Sequence, residues 1–261
     1  MSTVHPPKLS RARRIAAAVV AIGLGPSVAA APAHAATPNH ASGIPSCVQR
    51  EYSIAGHSIT PRTLSVGISK SKTLSYKAIT FTNCDITSVT GRAMAPSGTK
   101  AVKMAFTGSD LDYDYWSGPL RIALKSLTNS DAGTWTTTMT SVGTEGEVMN
   151  SGKVRVLRAS RVSINATPEP VAKGETITVR GKLERASWNT LKYYGYGNRK
   201  VDLLFRPNGG TDQKIKTVTT AGDGSLRTTV TAAKDGVFTF TFAGSSNTGA
   251  GRSTGDSVDV R

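Results

Sequence analysis

The stretch that decides the fold is Asp235-Gly236-Val237-Phe238-Thr239-Phe240-Thr241-Phe242, in which phenylalanine alternates with threonine after a glycine turn. Side chains of a β-strand point alternately to its two faces, so this spacing places all three phenylalanines on one face. Val201, Leu203 and Phe205 repeat the pattern earlier in the chain. We predict two half-buried strands whose apolar faces lie in a core, where each large side chain contributes about 1.5–3 kcal/mol.

Strand patterns of this kind recur along most of the chain. Short segments rich in threonine, valine, isoleucine and aromatic residues are separated by clusters of glycine, asparagine, aspartate, proline and serine, which is typical of an all-β protein. We predict seven strands in the first half, at residues 64–68, 73–81, 86–94, 101–107, 120–125, 134–141 and 153–158. Seven more follow at residues 161–166, 176–183, 200–206, 214–219, 226–232, 237–243 and 257–260.

The N-terminus has the features of a secretory signal peptide. Basic residues without an acid precede an apolar segment at 15–31, which ends at Ala33-His34-Ala35. A membrane anchor is the alternative, but about 17 apolar residues interrupted by glycine and proline are marginal for a ~30 Å hydrocarbon core. We therefore predict cleavage of residues 1–35 and a secreted, extracellular protein without a lipid, membrane or covalent wall anchor.

The remaining length of about 226 residues suits two domains of ordinary size. We predict a flexible linker at 36–46 and two tandem immunoglobulin-like antiparallel β-sandwiches, at 47–159 and 160–261. The strands on either side of residues 158–161 almost touch in sequence, which predicts a semi-rigid tandem. Residues 96–98 and 223–224 are expected to be hairpin turns.

A local motif favours the sandwich prediction for the first half. The segment 127–135 resembles the immunoglobulin corner, in which Asp-x-Gly-x-Tyr introduces an aromatic-bearing strand. Here Trp135 replaces the tyrosine, and we expect the loss of the hydroxyl that bonds back to the backbone. Thr137 stands where antibody domains carry their second disulfide cysteine.

The cysteine count predicts a single disulfide. Cys47 and Cys84 are the only two cysteines, an even and minimal number for an oxidising compartment. The bond is expected to tie the N-terminal segment to the strand that ends near Phe81. Closing a loop of about 38 residues would stabilise the fold by about 4 kcal/mol in the chain-entropy model.

The second half also shows a resemblance. The segments 166–171, 173–176, 179–183, 201–205, 235–238 and 242–244, together with Trp188, Tyr193 and Gly195-Tyr196, look like a C-terminal Ig-like module of uncharacterised secreted actinobacterial proteins. The resemblance covers nearly all of 160–261, whereas the first half matches more loosely. It implies a secreted β-sandwich and supplies no catalytic residues.

Catalytic motifs are missing from the sequence. It contains no Gly-x-Ser-x-Gly, no His-Glu-x-x-His and no phosphate-binding glycine loop, and only His40 and His57 follow the signal segment. A pair of facing carboxylates of the glycosidase kind is left open, because spatial pairing is invisible in sequence. We predict a non-enzymatic protein without a cofactor.

One acidic cluster is a weak calcium candidate. Asp110, Asp112 and Asp114 resemble the start of a calcium loop, but Tyr115 and Arg121 stand where glycine and the bidentate glutamate belong. As an extended segment, the cluster would place three carboxylates on one face. The alternative is a solvated loop with Tyr113, Tyr115 and Trp116 packed beneath it.

An aromatic-rich segment is the first ligand-binding candidate. Residues 188–199 are expected to form a loop, and the candidate binding residues are Trp188, Tyr193, Tyr194, Tyr196, Asn198 and Arg199. Exposed aromatic rings beside polar groups suit sugar rings and protein hot spots. In the alternative interpretation these aromatic residues fold back over the end of a core.

Charge narrows the choice of partners. The formal charge is +15, and removing the signal peptide removes four basic residues and no acid, leaving about +11. In 179–183 and 214–216 the cations alternate with small or apolar residues, which indicates solvated strand faces. The sequence has no lysine-arginine run and no nucleic-acid motif, so we expect weak attraction to anionic polymers and no specific nucleic-acid recognition.

These features predict a secreted binding, adhesion or cell-envelope-associated protein. Its partner is expected to be an unknown protein, a glycan or an anionic wall polymer. A carbohydrate- or wall-polymer-binding accessory protein and a secreted protein inhibitor are the two alternative functions.

Overall fold

Eighteen β-strands and three short 3-10 helices form the regular structure of residues 54–144 and 146–261, which are the residues that the computed structural model describes. The predicted signal peptide, the predicted linker and Cys47 lie outside the described residues. The all-β prediction is confirmed, and the strands form two sandwiches of two sheets each. Cys84 is buried in the first sandwich, and its pairing with Cys47 stays a prediction.

The first sandwich contains nine strands. They are β1 (Ile54–Thr60), β2 (Thr63–Val66), β3 (Lys72–Phe81), β4 (Ile86–Ala95), β5 (Gly98–Lys103), β6 (Ala105–Ser109), β7 (Tyr113–Ile122), β8 (Gly133–Gly143) and β9 (Gly146–Arg158). The 3-10 helices are Thr82–Cys84, Leu124–Ser126 and Asn129–Asp131. One sheet has the order β1-β3-β7-β6 and the other β2-β9-β8-β4-β5, with β2 and β9 parallel. This division of the strands between two sheets is that of an immunoglobulin sandwich.

Tyr76 lies at the centre of the first core. It is fully buried, and its hydroxyl donates a hydrogen bond of 2.8 Å to the carbonyl oxygen of Arg92. Burial raises the pKa of Tyr76 to about 12. Its ring covers Gly91, where an added Cβ would lie 2.4 Å from a ring carbon, so this position requires glycine.

The corner before β8 differs from the prediction in one bond. Trp135 lacks the tyrosine hydroxyl, as the sequence predicts, but its indole N–H makes a bond to the backbone instead. The indole Nε1 of Trp135 donates a 2.6 Å hydrogen bond to the carbonyl oxygen of Asp131. The larger ring therefore fills the core and still ties the corner to the strand.

The second sandwich contains the other nine strands. They are β10 (Ser160–Thr167), β11 (Thr176–Ser187), β12 (Lys192–Gly195), β13 (Lys200–Pro207), β14 (Gln213–Thr219), β15 (Ser225–Thr231), β16 (Gly236–Phe242), β17 (Gly251–Arg252) and β18 (Asp256–Val258). In one sheet β11 pairs with β10 on one edge and with β15 and β12 along the other. The second sheet runs β14-β13-β16, and both β17 and β18 pair with β16.

The phenylalanine alternation is confirmed in β16. Phe238, Phe240 and Phe242 are 3%, 0% and 5% exposed and lie in one core with Val201 and Leu203. Their spacing of two residues places them on one face of the strand because successive side chains of a β-strand point to opposite faces.

Several predicted strands have different bounds. The candidate at 101–107 is wrong as one strand, because the chain changes sheets at the buried Met104, between β5 and β6. Of the candidate at 120–125, only the first three residues lie in β7, which begins at Tyr113, and β1, β12 and β17 were not predicted. The turn at 223–224 joins strands of opposite sheets and is therefore not a hairpin.

The joint between the sandwiches is short and hydrogen-bonded. Strand β9 ends at Arg158 and β10 begins at Ser160, and between them Ala159 donates its N–H to the carbonyl of Val66 and accepts the N–H of Ala186, both at 2.8 Å. The buried Arg158 donates its Nε to the carbonyl of Ala186. Burial, with a smaller effect of the nearby Arg185 charge, lowers the pKa of Arg158 to about 10.

Candidate ligand-binding surface

Residues 188–199 form most of a β-hairpin and not the expected loop. Strand β11 continues to Ser187, residues 188–191 make the turn, and β12 pairs back onto β11 from Lys192 to Gly195. Leu191 in the turn has a φ of 52°, in the left-handed region. Strand β12 was not predicted because its residues are polar and do not alternate with apolar ones. It is a strand because it pairs with β11, and this pairing cannot be seen in the sequence.

Trp188 lies inside the neighbouring sandwich. Only 3% of it is exposed, and it belongs to the first core. Its indole Nε1 donates to the carbonyl of Val66 at 3.0 Å, and its backbone N–H donates to Oδ1 of Asn129 at 2.9 Å. Asn129 in turn donates its own N–H to Oδ1 of Asn189 at 2.7 Å, so the hairpin is bound to the corner before β8 from both sides.

Tyr196 is enclosed by cations. It is 5% exposed, with the guanidinium carbon of Arg185 at 4.1 Å and that of Arg199 at 4.4 Å from its ring centroid. Burial raises the pKa of Tyr196, but hydrogen bonds with Ser245 and Thr248 and the two arginine charges outweigh burial and lower it. Such contacts stabilise a packed ring and leave neither face open to a ligand.

The other four candidates have different surroundings. Tyr193 is half-buried, with the guanidinium carbon of Arg161 at 4.3 Å from its ring centroid. Tyr194 is 50% exposed, and Asn198 and Arg199 are exposed as well. The burial of Trp188 and Tyr196 supports the packing interpretation of the segment. If this segment binds a ligand, only its exposed residues are accessible for the contact.

The acidic cluster forms a turn and not an extended segment, so the expected row of three carboxylates is wrong. The carboxylate of Asp110 accepts hydrogen bonds from the N–H of Asp112 at 3.0 Å, the N–H of Tyr113 at 2.8 Å and the hydroxyl of Tyr115 at 2.6 Å. These bonds, the Tyr115 bond first, lower the pKa of Asp110. Burial, followed by the charge of Asp110, raises the pKa of Asp114. In the described part of the chain, no three histidine, cysteine, aspartate or glutamate residues are grouped to hold a metal ion.

The turn ends beside a concave area of the first sandwich, which we call the hollow. It measures about 550 Å³ and lies on the sheet β1-β3-β7-β6. Its lining residues are Gly56, His57, Ser58, Lys77, Ala78, Ile79, Thr107, Tyr115, Trp116 and Ser117. Tyr115 and Trp116 belong to the second segment that the sequence singled out, and none of the other lining residues was predicted as a binding residue.

Strand register divides the hollow into two rows. The apolar row of the hollow is Gly56, Ile79 and Tyr115, each opposite the next, and beyond the lining residues it continues on β6 to Gly108, which is opposite Tyr115. The polar row is Ser58, Lys77 and Ser117, paired in the same way. The rows are two residues apart along each strand, about 6.7 Å.

Two β-bulges shape the hollow. The register shifts between Ile54 and Gly56 on β1 and between Phe106 and Gly108 on β6, at the two ends of the apolar row. A bulge bends its strand and increases the local twist. Because glycine has no side chain, both ends of the apolar row are open, and Ile79 and Tyr115 form its floor.

The ring of Tyr115 is held in place before any ligand binds. Its hydroxyl donates to Asp110, which raises the pKa of Tyr115, and the Thr107 hydroxyl donates to its carbonyl at 3.0 Å. The only ionisable lining residues are Lys77 and His57, apart from the phenol of Tyr115. The hollow therefore combines a fixed aromatic floor with hydroxyl groups and a cation.

The described residues contain no catalytic constellation around a histidine. His57 is the only histidine among residues 54–144 and 146–261. No helix in the described residues is long and apolar enough to cross a membrane.

Comparisons with known proteins find structural neighbours at low sequence identity and low TM-score. No protein family and no curated protein matches the sequence. Among solved structures, the fibronectin(III)-like modules of CbhA from Clostridium thermocellum match 78% of this chain and 93% of their own at 12% identity, with a TM-score of 0.36. Murine CEACAM1b matches 79% of this chain and 100% of its own at 12% identity, with a TM-score of 0.38. These similarities tell nothing about what the chain binds.

Proposed function

We propose that this protein is a non-enzymatic, extracellular carbohydrate-binding protein whose ligand lies in the hollow of the first sandwich. The observation that supports it is the pair of parallel rows, one apolar with a fixed aromatic ring and one polar. The extracellular location rests on the predicted signal peptide, which lies outside the described residues.

A sugar ring matches the two rows chemically. Its C–H face packs on an aromatic or aliphatic surface, which Tyr115 and Ile79 supply. Its hydroxyl groups exchange hydrogen bonds with Ser58 and Ser117 and accept from the ammonium of Lys77. The volume of about 550 Å³ is within the range of about 300–1,000 Å³ that is usual for ligand sites.

Pre-organisation of the floor favours binding. The 2.6 Å hydrogen bond from the Tyr115 hydroxyl to the Asp110 carboxylate fixes the ring, so little side-chain freedom is lost when a ligand packs on it. The charge of Lys77 in the polar row also favours the binding of anionic glycans over neutral ones, because no acid lines the hollow.

Filling the hollow should abolish binding without disturbing the fold. At Gly56 an added Cβ would lie 3.8 Å from Cδ1 of Ile79, an ordinary contact, so Gly56→Leu places a side chain in the apolar row. We expect the variant to lose at least about tenfold in affinity for the polysaccharide that retains the wild-type protein, as for loss of a central contact. Retention on a panel of insoluble polysaccharides, followed by isothermal titration with the fragments of the retained one, measures the effect.

Two further variants separate the hollow from the rest of the surface. Tyr115→Ala removes the floor and should match Gly56→Leu, whereas Tyr194→Ala removes an exposed tyrosine of the hairpin and should bind as the wild type does. If Tyr194→Ala abolishes retention and Gly56→Leu does not, the hollow is not the site. If the hollow binds a partner protein and no polysaccharide, so that only the hollow variants lose the partner protein, an adhesion or inhibitor function is favoured instead.

A further inference from the structure

A second feature lies on the outer face of the sheet that β10, β11 and β15 form. Arg180 on β11 is directly opposite Arg227 on β15, and Lys182, two residues along β11, is opposite Ser225. All three cations are exposed. Asn165 and Ser163 on β10 lie opposite Arg180 and Lys182. We call this set of Ser163, Asn165, Arg180, Lys182, Ser225 and Arg227 the arginine face.

The pairing of Arg180 with Arg227 is unfavourable in the free protein. Cβ atoms of directly opposite residues in an antiparallel pair are about 4.5–5.5 Å apart, and like charges at this distance destabilise the pair. Among the described residues, the ion pairs are Arg161–Glu184, Lys214–Asp202, Arg252–Asp212 and Arg261–Asp259, and none includes a cation of the arginine face. The repulsion is therefore not relieved by an ion pair.

The two acids that border the arginine face already have partners. Glu184 accepts from Nε of Arg161 at 2.7 Å. The carboxylate of Asp223 accepts the N–H of Ser225 at 2.9 Å, and this bond is the largest cause of its lowered pKa, with a smaller contribution from Lys182. Neither acid is opposite Arg180 or Arg227 in the strand register.

We infer that the arginine face binds a flexible linear polymer that carries phosphate groups, with one phosphate held between Arg180 and Arg227. Two guanidinium groups facing one oxyanion make charge-assisted hydrogen bonds that turn the repulsion into attraction. Lys182, about 6.7 Å further along β11, contacts the next phosphate. The asparagine and serine side chains of the arginine face donate to the remaining phosphate oxygens.

The chemistry of the arginine face disfavours nucleic acid as the polymer. Its side chains are arginine, lysine, serine and asparagine, with no aromatic ring on which a base stacks. The surface is a sheet face, not a helix or ribbon that enters a groove. A phosphate backbone without bases offers a hydrogen-bond acceptor to every side chain of the arginine face.

Binding to long-chain inorganic polyphosphate, measured by anisotropy at several salt concentrations, tests the inference. Two neutralised phosphates predict a slope of log K against log salt of about −1.4, and R180T/R227T, which loses one of them, should reduce its size by about 0.7 and weaken binding at least about tenfold at 150 mM salt. The melting temperature of the free variant should stay equal or rise, because the substitution removes a repulsive pair. A merely structural arginine pair would give the opposite shift.

The control has the same net charge. R206T/K234T removes two exposed cations elsewhere in the second sandwich and should keep wild-type binding. Equal weakening in both double variants would show diffuse attraction by net charge and overturn the inference. Binding of single-stranded oligothymidylate as tight as that of polyphosphate would overturn it as well. Gly56→Leu should bind polyphosphate normally, which keeps this test independent of the proposed carbohydrate site.

Discussion

Trp188→Ala is expected to lower the free energy of unfolding by about 3–5 kcal/mol, the usual loss for truncating a large buried aromatic side chain. Trp188 belongs to the hairpin of the second sandwich, yet its ring is 3% exposed within the first core. The substitution therefore leaves a cavity in one sandwich and removes the link to the other. We expect urea unfolding to change from one coupled transition to two, the first of which belongs to the first sandwich.

Matched variants identify the cause of this loss. Trp188→Phe keeps most of the ring but removes one of the two donors to the carbonyl of Val66, which keeps the N–H of Ala159, so about 0.5–1.5 kcal/mol should be lost. Tyr194→Ala, in the same hairpin but 50% exposed, should stay within about 0.5 kcal/mol of the wild type. A Trp188→Ala variant within 1 kcal/mol of wild-type stability, on the scale of a surface change, would contradict the docked hairpin.

Asp131→Ala should be the second most damaging change, by about 2–5 kcal/mol, because it removes a buried carboxylate that accepts three hydrogen bonds. Asp131 is fully buried, and its carboxylate accepts the N–H of Ser97 at 2.8 Å and both the N–H and the hydroxyl of Thr128, at 2.7 and 2.9 Å. These bonds join the β4–β5 turn to the corner before β8. Asp131→Asn keeps one acceptor oxygen and should lose less.

The effect of Asp131 depends on pH in a defined direction. Burial raises its pKa, but the hydrogen bonds from Thr128 and Ser97 outweigh burial and lower it below the ordinary value. A folded-state pKa below that of the unfolded chain stabilises the fold above about pH 4, and this contribution disappears as pH falls through the folded-state value. Denaturant titrations of the wild type and Asp131→Asn should therefore converge towards pH 3. A difference in stability that is constant from pH 7 to pH 3 would show that the charge of Asp131 is not involved.

Local alternation was sufficient to predict the all-β fold. Phe238, Phe240 and Phe242 are predictable because a strand fixes which side chains share a face, whatever lies opposite. The exchange of sheets at Met104 was not predictable, because residues 101–107 contain no glycine or proline to interrupt the pattern. Strand β7 was hidden by Asp114 and Pro119. Pro119 is tolerated because the neighbouring strand β6 pairs with β7 only as far as Ser117.

The candidate site could be predicted from the sequence only in part. Composition singled out Trp188 and Tyr196, but whether an aromatic ring is exposed depends on tertiary docking, here against the first sandwich and against Arg185 and Arg199. Tyr115 was noticed in the acidic segment, whereas its partner Ile79 is an ordinary strand residue in sequence. The hollow depends on register and on two bulges, and neither leaves a reliable signal in a single sequence.

Amide chemical shifts during titration with the sugar fragments of the retained polysaccharide test the central claim most directly. The isotope-labelled chain, expressed without the predicted signal peptide at 1–35, should show its largest changes at Gly56, Lys77, Ile79, Tyr115 and Ser117, and Gly56→Leu should abolish them. Largest changes in the 188–199 hairpin or on the arginine face, with the hollow unaffected, would contradict the assignment of the hollow as the ligand site.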